Sequence, residues 1–214
     1  MNFQNYLNAT YYLDCDNPIV IDYVKQRTIN CKTQKEKAIA LYYWVRDTIA
    51  YNSYNIVLEP SVFKASYILT KKSGYCVEKS NLYAPCLRVC GIPTRMAYAN
   101  VRNHLGTKKL EERLGTDLLV FHSYVEAYLG NKWIKITPIF DEKLCQKLGV
   151  GPLPFDGEKD SVFQASDKVG NPFMEYVTYH GYFADFPFEI FIENLKLYYS
   201  HLFEKKNDSL CLLI

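Results

Sequence analysis

Residues 73–93 read SGYCVEKSNLYAPCLRVCGIP. They separate an upstream part of the chain with helical sequence patterns from a downstream part with strand patterns. A helix is predicted from Cys76 up to Gly91, because a glycine followed closely by a proline is a common helix end. Pro85 lies inside this helix and is expected to remove one hydrogen bond and kink it. The first two turns, which contain Cys76, precede that proline and are expected to be regular.

Cys76 stands out in this stretch because of its position. It follows Ser-Gly-Tyr directly and begins the predicted helix, where backbone N–H groups lack intrahelical acceptors and the helix dipole is positive. Such a setting favours the thiolate and lowers a thiol pKa from its usual value of about 8.5. Cys76 is therefore a candidate nucleophile, although a cysteine at a helix start is more often a small buried side chain.

The remaining cysteines predict a reduced, intracellular protein. The chain has seven cysteines, an odd number, and its first residues, MNFQNYLNAT, lack the apolar core of a secretory signal. No run approaches the ~18 apolar residues of a membrane span, so we expect a cytoplasmic location. Cys86 and Cys90 share a helix face without a CxxC or HxxxH partner. We expect them to be small buried side chains, and we expect neither a metal nor an organic cofactor.

Upstream of residue 73 the sequence predicts helices. Thr33 and Glu36 form a capping box, and apolar residues at helical spacing follow as far as Ile49. Residues 50–73 are predicted to be a loop with a short helix near residues 63–69.

Downstream of residue 93 the sequence predicts strands. Residues 96–101 are predicted to be extended, and Val120 to Leu129 alternates as a strand does. Gly130-Asn131 is a hairpin signal, and residues 132–136 are predicted to be the partner strand.

The other downstream segments are less regular. Residues 104–118 are predicted to be a polar excursion with one helical turn, and the proline-containing residues 137–173 an irregular wrap. Pro187 suits the first turn of a final helix to about Phe203. Helices followed by an antiparallel sheet indicate an α+β fold, and the length of 214 residues fits one domain.

His122 is the candidate base for Cys76. It lies on the predicted strand 120–129, and its same-face neighbours Tyr124 and Glu126 are polar or amphipathic. His104 falls in a polar loop, His180 in a predicted glycine turn and His201 in the last helix. A structural role for His122 remains the alternative.

Taken together, these motifs resemble the transglutaminase-like superfamily of papain-like cysteine enzymes, specifically its small stand-alone bacterial members. The matching motifs span about residues 35–141 and are Gly74-Tyr-Cys76, Gly91-Ile-Pro-Thr-Arg95, His122-Ser-Tyr-Val-Glu126 and Trp133-Ile-Lys-Ile-Thr137-Pro138. The resemblance implies N-terminal helices, with the nucleophile at a helix start, packed on an antiparallel sheet. Residues 142–214 would form a proline-rich wrap and a closing helix.

The resemblance also implies a reaction. Cys76 would attack an amide carbonyl of a peptide or protein, either a peptide bond or a glutamine side chain, and His122 would protonate the departing amine. The thioester would then pass its acyl group to water or an amine. The Cys76 N–H would form part of the oxyanion hole, with Tyr51 or Tyr54 as guesses for the second donor.

One residue departs from the family pattern. Thr137 occupies the position of the aspartate that orients the histidine. We expect Asp141 to supply that carboxylate, with the Thr137 hydroxyl and Glu126 as alternatives. Because losing this aspartate can cost several powers of ten in rate, the alternative function is a catalytically silent member that binds a partner through its aromatic surface.

Charge and the C-terminal residues restrict the other partners. A net charge of +2 argues against nucleic-acid binding. Cys211-Leu-Leu-Ile214 has the form of a prenylation box, preceded by Lys205 and Lys206. Membrane association is therefore expected only if Cys211 is prenylated.

Overall fold

The computed structural model describes residues 2–53, 55–104, 108–163, 166–203 and 211–213. Its α-helices are α1 (Pro18–Thr28), α2 (Gln34–Thr48), α3 (Ala65–Lys71), α4 (Cys76–Val89), α5 (Lys108–Leu114), α6 (Glu142–Leu148) and α7 (Phe188–Tyr198). Its strands are β1 (Ala50–Tyr51), β2 (Asn55–Val57), β3 (Ser73–Gly74), β4 (Thr94–Asn103), β5 (Leu118–Leu129), β6 (Lys132–Ile136), β7 (Met174–Phe183) and β8 (Cys211–Leu213). Short 3₁₀ helices cover Gln4–Tyr6, Pro60–Phe63 and Ser200–Leu202.

The α+β architecture is confirmed, with α4 at its centre. Helices α1, α2 and α3 pack around α4, which lies against β4 and β5 of the main sheet. That sheet is antiparallel, in the order β6-β5-β4-β7. The predicted hairpin between β5 and β6 is confirmed, and both of its turn residues, Gly130 and Asn131, have positive φ.

The helix boundaries follow the local signals in the sequence. Thr33 Oγ1 accepts from Glu36 N at 3.2 Å, and the Glu36 carboxylate accepts from Thr33 N at 3.1 Å, so the predicted capping box starts α2. Helix α4 runs through Pro85. It ends before Gly91, which takes φ +70° as a glycine end signal requires.

Two segments differ from the sequence-based expectation. His180 lies in strand β7, not in a glycine turn. Gly181 has φ +93° and falls where the β4–β7 register shifts, so the glycine marks a bulge inside a strand. The wrap also contains a helix, α6, because Asp141 caps its first turn and Gly149 ends it at φ +69°.

A short parallel pairing fixes the residues before α4. Strand β1 pairs with β3, so that Tyr51 lies beside Gly74. A Cβ at Gly74 would meet Glu78 Cβ at 2.8 Å, which explains the need for glycine at this position. The Glu78 carboxylate accepts from Tyr75 N at 3.1 Å and pairs with Lys71 at 2.8 Å.

Lys79 joins α4 to the end of α2. Its side chain is fully buried, and its Nζ donates to the carbonyls of Arg46 at 2.8 Å and Ile49 at 2.6 Å. These contacts satisfy carbonyls at the α2 C-terminus that have no intrahelical donor. Burial lowers the pKa of Lys79 to about 7.

The cysteines are reduced thiols in the described part of the chain, and the C-terminal segment pairs with an upstream strand. The six described cysteines outside β8 are free, and Cys86 is buried while Cys90 is half-buried. Strand β8 pairs with β2, with Cys211 beside Val57. The side chain of Cys211, Ile214 and both lysines of the prenylation hypothesis fall outside what the structure describes, so that hypothesis stays a prediction. No helix in the described ranges is long and apolar enough to cross a membrane.

Candidate active site

Cys76 is the first residue of α4, as predicted from the sequence. Its side chain is half-buried. The two residues before it are held by the β1–β3 pairing and by Glu78, so the thiol lies at a fixed helix start. The N–H groups of this first turn lack intrahelical acceptors and point towards the space in front of the helix.

His122 enters the same space from strand β5. Its side chain is 3% exposed, and its ring packs on Phe163 with centroids 4.9 Å apart. Cys76 and His122 both line one cavity of about 70 Å³. Within the described contacts, no hydrogen bond joins the sulfur to the imidazole.

A bulge in β5 places His122. Ala99 pairs with His122 and Val101 with Leu119, so that two residues, Val120 and Phe121, lie opposite one residue of β4. Phe121 takes φ +58°, a conformation that costs a non-glycine residue roughly 1 kcal/mol or more. Residue 122 therefore follows directly after a strained backbone position.

Side chains bind the N–H groups of this bulge. Phe121 N donates to Asn100 Oδ1 at 3.0 Å, and Val120 N donates to the Tyr199 hydroxyl at 2.8 Å. His180 Nε2 lies 2.8 Å from the same Asn100 oxygen. Asn100, Tyr199 and His180 were not identified from the sequence, because no local pattern links them to strand β5.

Burial determines the charge state of both candidate catalytic groups. Burial raises the pKa of the Cys76 thiol to about 12, although backbone N–H groups of Ser123, Val77 and Cys76 act in the opposite direction. Burial lowers the pKa of His122 to about 3. Both shifts favour the uncharged forms and so oppose the acidic thiol expected from the helix start, because desolvation outweighs the helix terminus.

The three candidates for the orienting group lie in different places. Asp141 caps α6 by accepting from Leu144 N at 2.9 Å, and its other oxygen accepts from Tyr51 N at 3.3 Å. Glu126 forms an ion pair with Arg95. Neither carboxylate has a described hydrogen bond to His122, so the structure does not bring Asp141 or Glu126 onto the imidazole.

Thr137 is the candidate that shares a cavity with His122. Both residues line a second, small cavity of about 10 Å³, together with Phe163. His122 Nε2 and Thr137 Oγ1 are both buried, and neither has a hydrogen-bond partner among the described residues. Two such polar atoms at one cavity indicate an unmet hydrogen-bonding requirement.

The candidates for the second oxyanion donor and the other histidines each have described contacts or lie outside the described residues. The Tyr51 N–H donates to Asp141 at 3.3 Å, and Tyr51 also lines the cavity in front of Cys76, so its candidacy as second oxyanion donor stays a prediction; Tyr54 is outside the described residues. His104 lies 3.2 Å from Glu175, and His201 lies 2.9 Å from the Arg113 carbonyl. The described side chains contain no cluster of three or more His, Cys, Asp or Glu suited to a metal ion.

Comparison with known proteins gives a match over the region that contains these motifs. A family model described as the transglutaminase-like superfamily matches residues 21–138. A solved structure from Cytophaga hutchinsonii, described as a "putative cysteine protease", is 20% identical with a TM-score of 0.49 and matches 62% of this chain but 40% of its own. A structure from Parabacteroides distasonis, described as a "putative protease", is 14% identical with a TM-score of 0.39 and matches 55% of this chain and 22% of its own.

The two structural matches thus span less than half of those proteins' lengths. The comparison with curated proteins gave no match.

Proposed function

The chain belongs to the transglutaminase-like superfamily, and on that premise we propose that it transfers or hydrolyses amide-linked acyl groups through a thioester on Cys76. The observation that carries the proposal is the cavity that Cys76 and His122 line together. His122 acts as the base, and a peptide or protein supplies the amide. Nucleophilic catalysis of this kind needs a thiol and a base that reach the same carbonyl.

The uncharged resting pair determines the order of events. Because burial lowers the pKa of His122 to about 3, its imidazole is neutral at pH 7 and is a weak base at rest, so it takes up the thiol proton only as negative charge develops on the substrate beside it. The Cys76 sulfur bonds to the amide carbon while the thiol proton passes to His122, so proton transfer accompanies bond formation. The imidazolium returns that proton to the nitrogen as the C–N bond breaks, which releases the amine and leaves the thioester. Water or a second amine then attacks the thioester and frees the thiol.

The helix start supports the developing oxyanion. The tetrahedral intermediate carries its negative charge within reach of the first-turn N–H groups of α4, beginning with that of Cys76. Preorganised backbone donors at such a place are usually worth ~10²–10³ in rate. The interaction is strengthened on the His122 side of the site, because that side chain is only 3% exposed and a low local dielectric strengthens electrostatic contacts.

Thr137 takes the orienting position in this proposal. The cavity that it shares with His122 has about the volume of one water molecule, roughly 10–15 Å³. A water there would accept from His122 Nε2–H and bond to the Thr137 hydroxyl, which would hold the tautomer with its lone pair towards Cys76. A neutral orienting group suits a histidine that is itself neutral at rest.

Hydroxylamine trapping tests the thioester. Casein peptides are incubated with the protein and hydroxylamine, and mass spectrometry searches for hydroxamates at new peptide C-termini and at glutamine side chains. We expect hydroxamates with the wild type and with the control Cys31→Ala, and none with Cys76→Ala or His122→Gln. The position of the hydroxamate distinguishes a protease from a glutamine-directed enzyme.

The rate at which iodoacetamide alkylates Cys76 tests the proposal without a substrate, so it remains informative if casein is a poor one. Cys76 that alkylates at the same rate in the wild type and in His122→Gln, together with no hydroxamate, would refute the proposal. The catalytically silent, partner-binding member would then be the remaining hypothesis.

A further inference from the structure

The cavity in front of Cys76 has a strongly apolar wall. Beyond Cys76 and His122, its apolar lining comes from four elements, β2, α5, β5 and α7. The apolar residues are Ile56, Leu110, Leu114, Leu119, Val120, Phe191 and Leu195, and the hydroxyl-bearing residues Tyr51, Ser53, Tyr75 and Tyr199 also line the cavity.

Charged side chains do not contribute to this lining within the described ranges. The Tyr199 hydroxyl reaches the cavity region, but it accepts from Val120 N and donates to the Leu118 carbonyl at 2.7 Å. Its hydrogen-bonding capacity is therefore used by strand β5. A polar group placed against the leucines of α5 and α7 would lose its bonds to water and regain none from those side chains, so the hydroxyls of this cavity do not serve an occupant on that wall.

The volume of the cavity sets the size of its occupant. At about 10–15 Å³ for each water-sized group, a cavity of about 70 Å³ has room for roughly five to seven non-hydrogen atoms. Side chains of leucine, isoleucine, methionine and phenylalanine fall in or near this range. A larger apolar chain, such as a fatty acyl group, exceeds this volume and would extend out of the cavity.

We propose that this cavity is a specificity pocket for one apolar side chain of about leucine size, next to the amide bond that Cys76 attacks. The preferred substrate is then a peptide bond beside a Leu, Ile, Met or Phe residue. A glutamine carboxamide placed against the leucines of α5 and α7 would lose hydrogen bonds to water that those side chains do not replace. The inference rests on the proposed function for its chemistry and on the cavity lining for its specificity.

Two nearly isosteric probes test the pocket separately from the chemistry. N-isobutyl chloroacetamide carries a leucine-like group, and N-(carbamoylmethyl)chloroacetamide replaces its isopropyl group with a carboxamide of similar shape. Mass spectrometry of the Cys76 peptide gives each second-order rate constant, and glutathione gives the intrinsic reactivity of each probe. The normalised ratio cancels the nucleophilicity of the thiol. We expect it to favour the isobutyl probe about tenfold or more, as a leucine-sized apolar pocket does.

Paired variants locate the effect in the cavity. Leu195→Phe adds volume at a buried position of α7 and should bring the ratio close to one, whereas Leu197→Phe, at a residue 75% exposed on the same helix, should leave it unchanged. Leu110→Asn, at a half-buried position of α5, tests the other wall without overpacking. Its control is Glu112→Gln, at an exposed position of α5.

The outcomes separate this inference from the proposed function. A normalised ratio of one, in a protein whose Cys76 still reacts more slowly after His122→Gln, would overturn the apolar pocket and leave the Cys–His mechanism standing. A ratio that favours the isobutyl probe and falls in Leu195→Phe and Leu110→Asn supports the pocket, even if His122→Gln has no effect on either rate. An equal loss of ratio in Leu197→Phe would also overturn it.

Discussion

Desolvation of Cys76 and His122 controls the chemistry at the residue scale. A thiol at a helix start is usually acidic, but here burial raises the pKa of Cys76 to about 12 and lowers that of His122 to about 3. Both shifts favour the uncharged forms over a thiolate–imidazolium pair. In the proposed mechanism, reactivity then depends on proton transfer to His122 during attack.

The pH dependence of Cys76 alkylation follows directly from these pKa values. The rate with iodoacetamide should rise continuously from about pH 6 to about pH 10 without a plateau, because the pKa of the thiol lies near 12. At pH 7, His122→Gln should lower the rate about tenfold or more, since general-base assistance is lost. Quenched-flow labelling with mass spectrometry would measure the pH dependence of the alkylation rate and the effect of His122→Gln on it.

Cys31 in the same molecule is the internal control, because its alkylation should not respond to His122→Gln. A plateau beginning below about pH 7 would contradict the neutral pair and indicate a preformed thiolate.

Thr137 and Asp141 can be separated by nearly isosteric changes. Thr137→Val removes the hydroxyl but keeps the shape, and we expect hydroxamate formation to fall about tenfold, less than the ~10⁴ lost with a charged orienting group. Asp141→Asn should change the rate by less than about threefold, because an asparagine still caps α6. If Asp141→Asn is instead the more damaging change, the carboxylate reaches His122 in the working enzyme and our assignment of Thr137 fails.

The sequence pointed to Cys76 and His122 as candidates because each belongs to a local motif, a thiol at a helix start and a histidine on an amphipathic strand, and the structure brings both to one cavity. It did not predict their pKa values, because these depend on burial by α7, α5 and the wrap. The surroundings of Thr137 are non-local in the same way, since Phe163 and Thr137 meet only in the folded chain.

At the scale of elements, the bulge in β5 connects the sheet to the site. Val120 and Phe121 do not take part in the β4–β5 strand pairing. Their N–H groups instead donate to the side chains of Tyr199 and Asn100. His180 ties the edge strand β7 to the same Asn100 oxygen. The orientation of His122 therefore depends on three elements that provide no catalytic residue.

Asn100→Leu tests this positioning role. The variant removes the acceptor of Phe121 N, and we expect a lower turnover by about tenfold, with little change in KM, and a loss of about 1–3 kcal/mol of stability for the unpaired N–H. His180→Phe keeps a ring on Phe121 and should have a smaller effect of the same kind. Asn194→Ala, which removes a single side-chain contact to the Ile190 carbonyl on α7, is the control.

Histidine NMR distinguishes positioning from general destabilisation. The His122 ring resonances should move in Asn100→Leu and stay in place in Asn194→Ala. Unchanged His122 resonances together with full activity would show that the bulge does not control the imidazole.

Local patterns predicted α2, α4, the β5–β6 hairpin and the last helix, because each carries its own caps or turn residues. Strand β7 was missed, since Gly181 and the surrounding aromatics resemble a turn until β4 supplies the pairing partner. The same limit applies to β1 and β3, which are two residues long and exist only as a pair.

At the scale of the whole molecule, buried titratable groups link the active site to stability. Lys79 and His122 both have pKa values that burial lowers, to about 7 and about 3. The unfolded chain binds more protons than the folded one between about pH 3 and 6.5 at His122, and between about 7 and 10.5 at Lys79. Stability from these groups therefore rises with pH in both windows. Glu78 and Asp185 act oppositely in acid, because burial raises their pKa values.

The loss of stability in acid should consequently depend on His122. Between pH 7.5 and pH 5 the wild type should lose about 2 kcal/mol of unfolding free energy at His122. In this interval the imidazole of the unfolded chain becomes protonated, whereas that of the folded chain, with a pKa of about 3, stays neutral. His122→Gln carries no such proton and should lose correspondingly less over the same interval. Urea unfolding at the two pH values measures both, with His201→Gln as the exposed control. Equal losses in the wild type and in His122→Gln would mean that His122 is hydrated enough to protonate in the folded state, and the dry, neutral pair on which the mechanism depends would have to be abandoned.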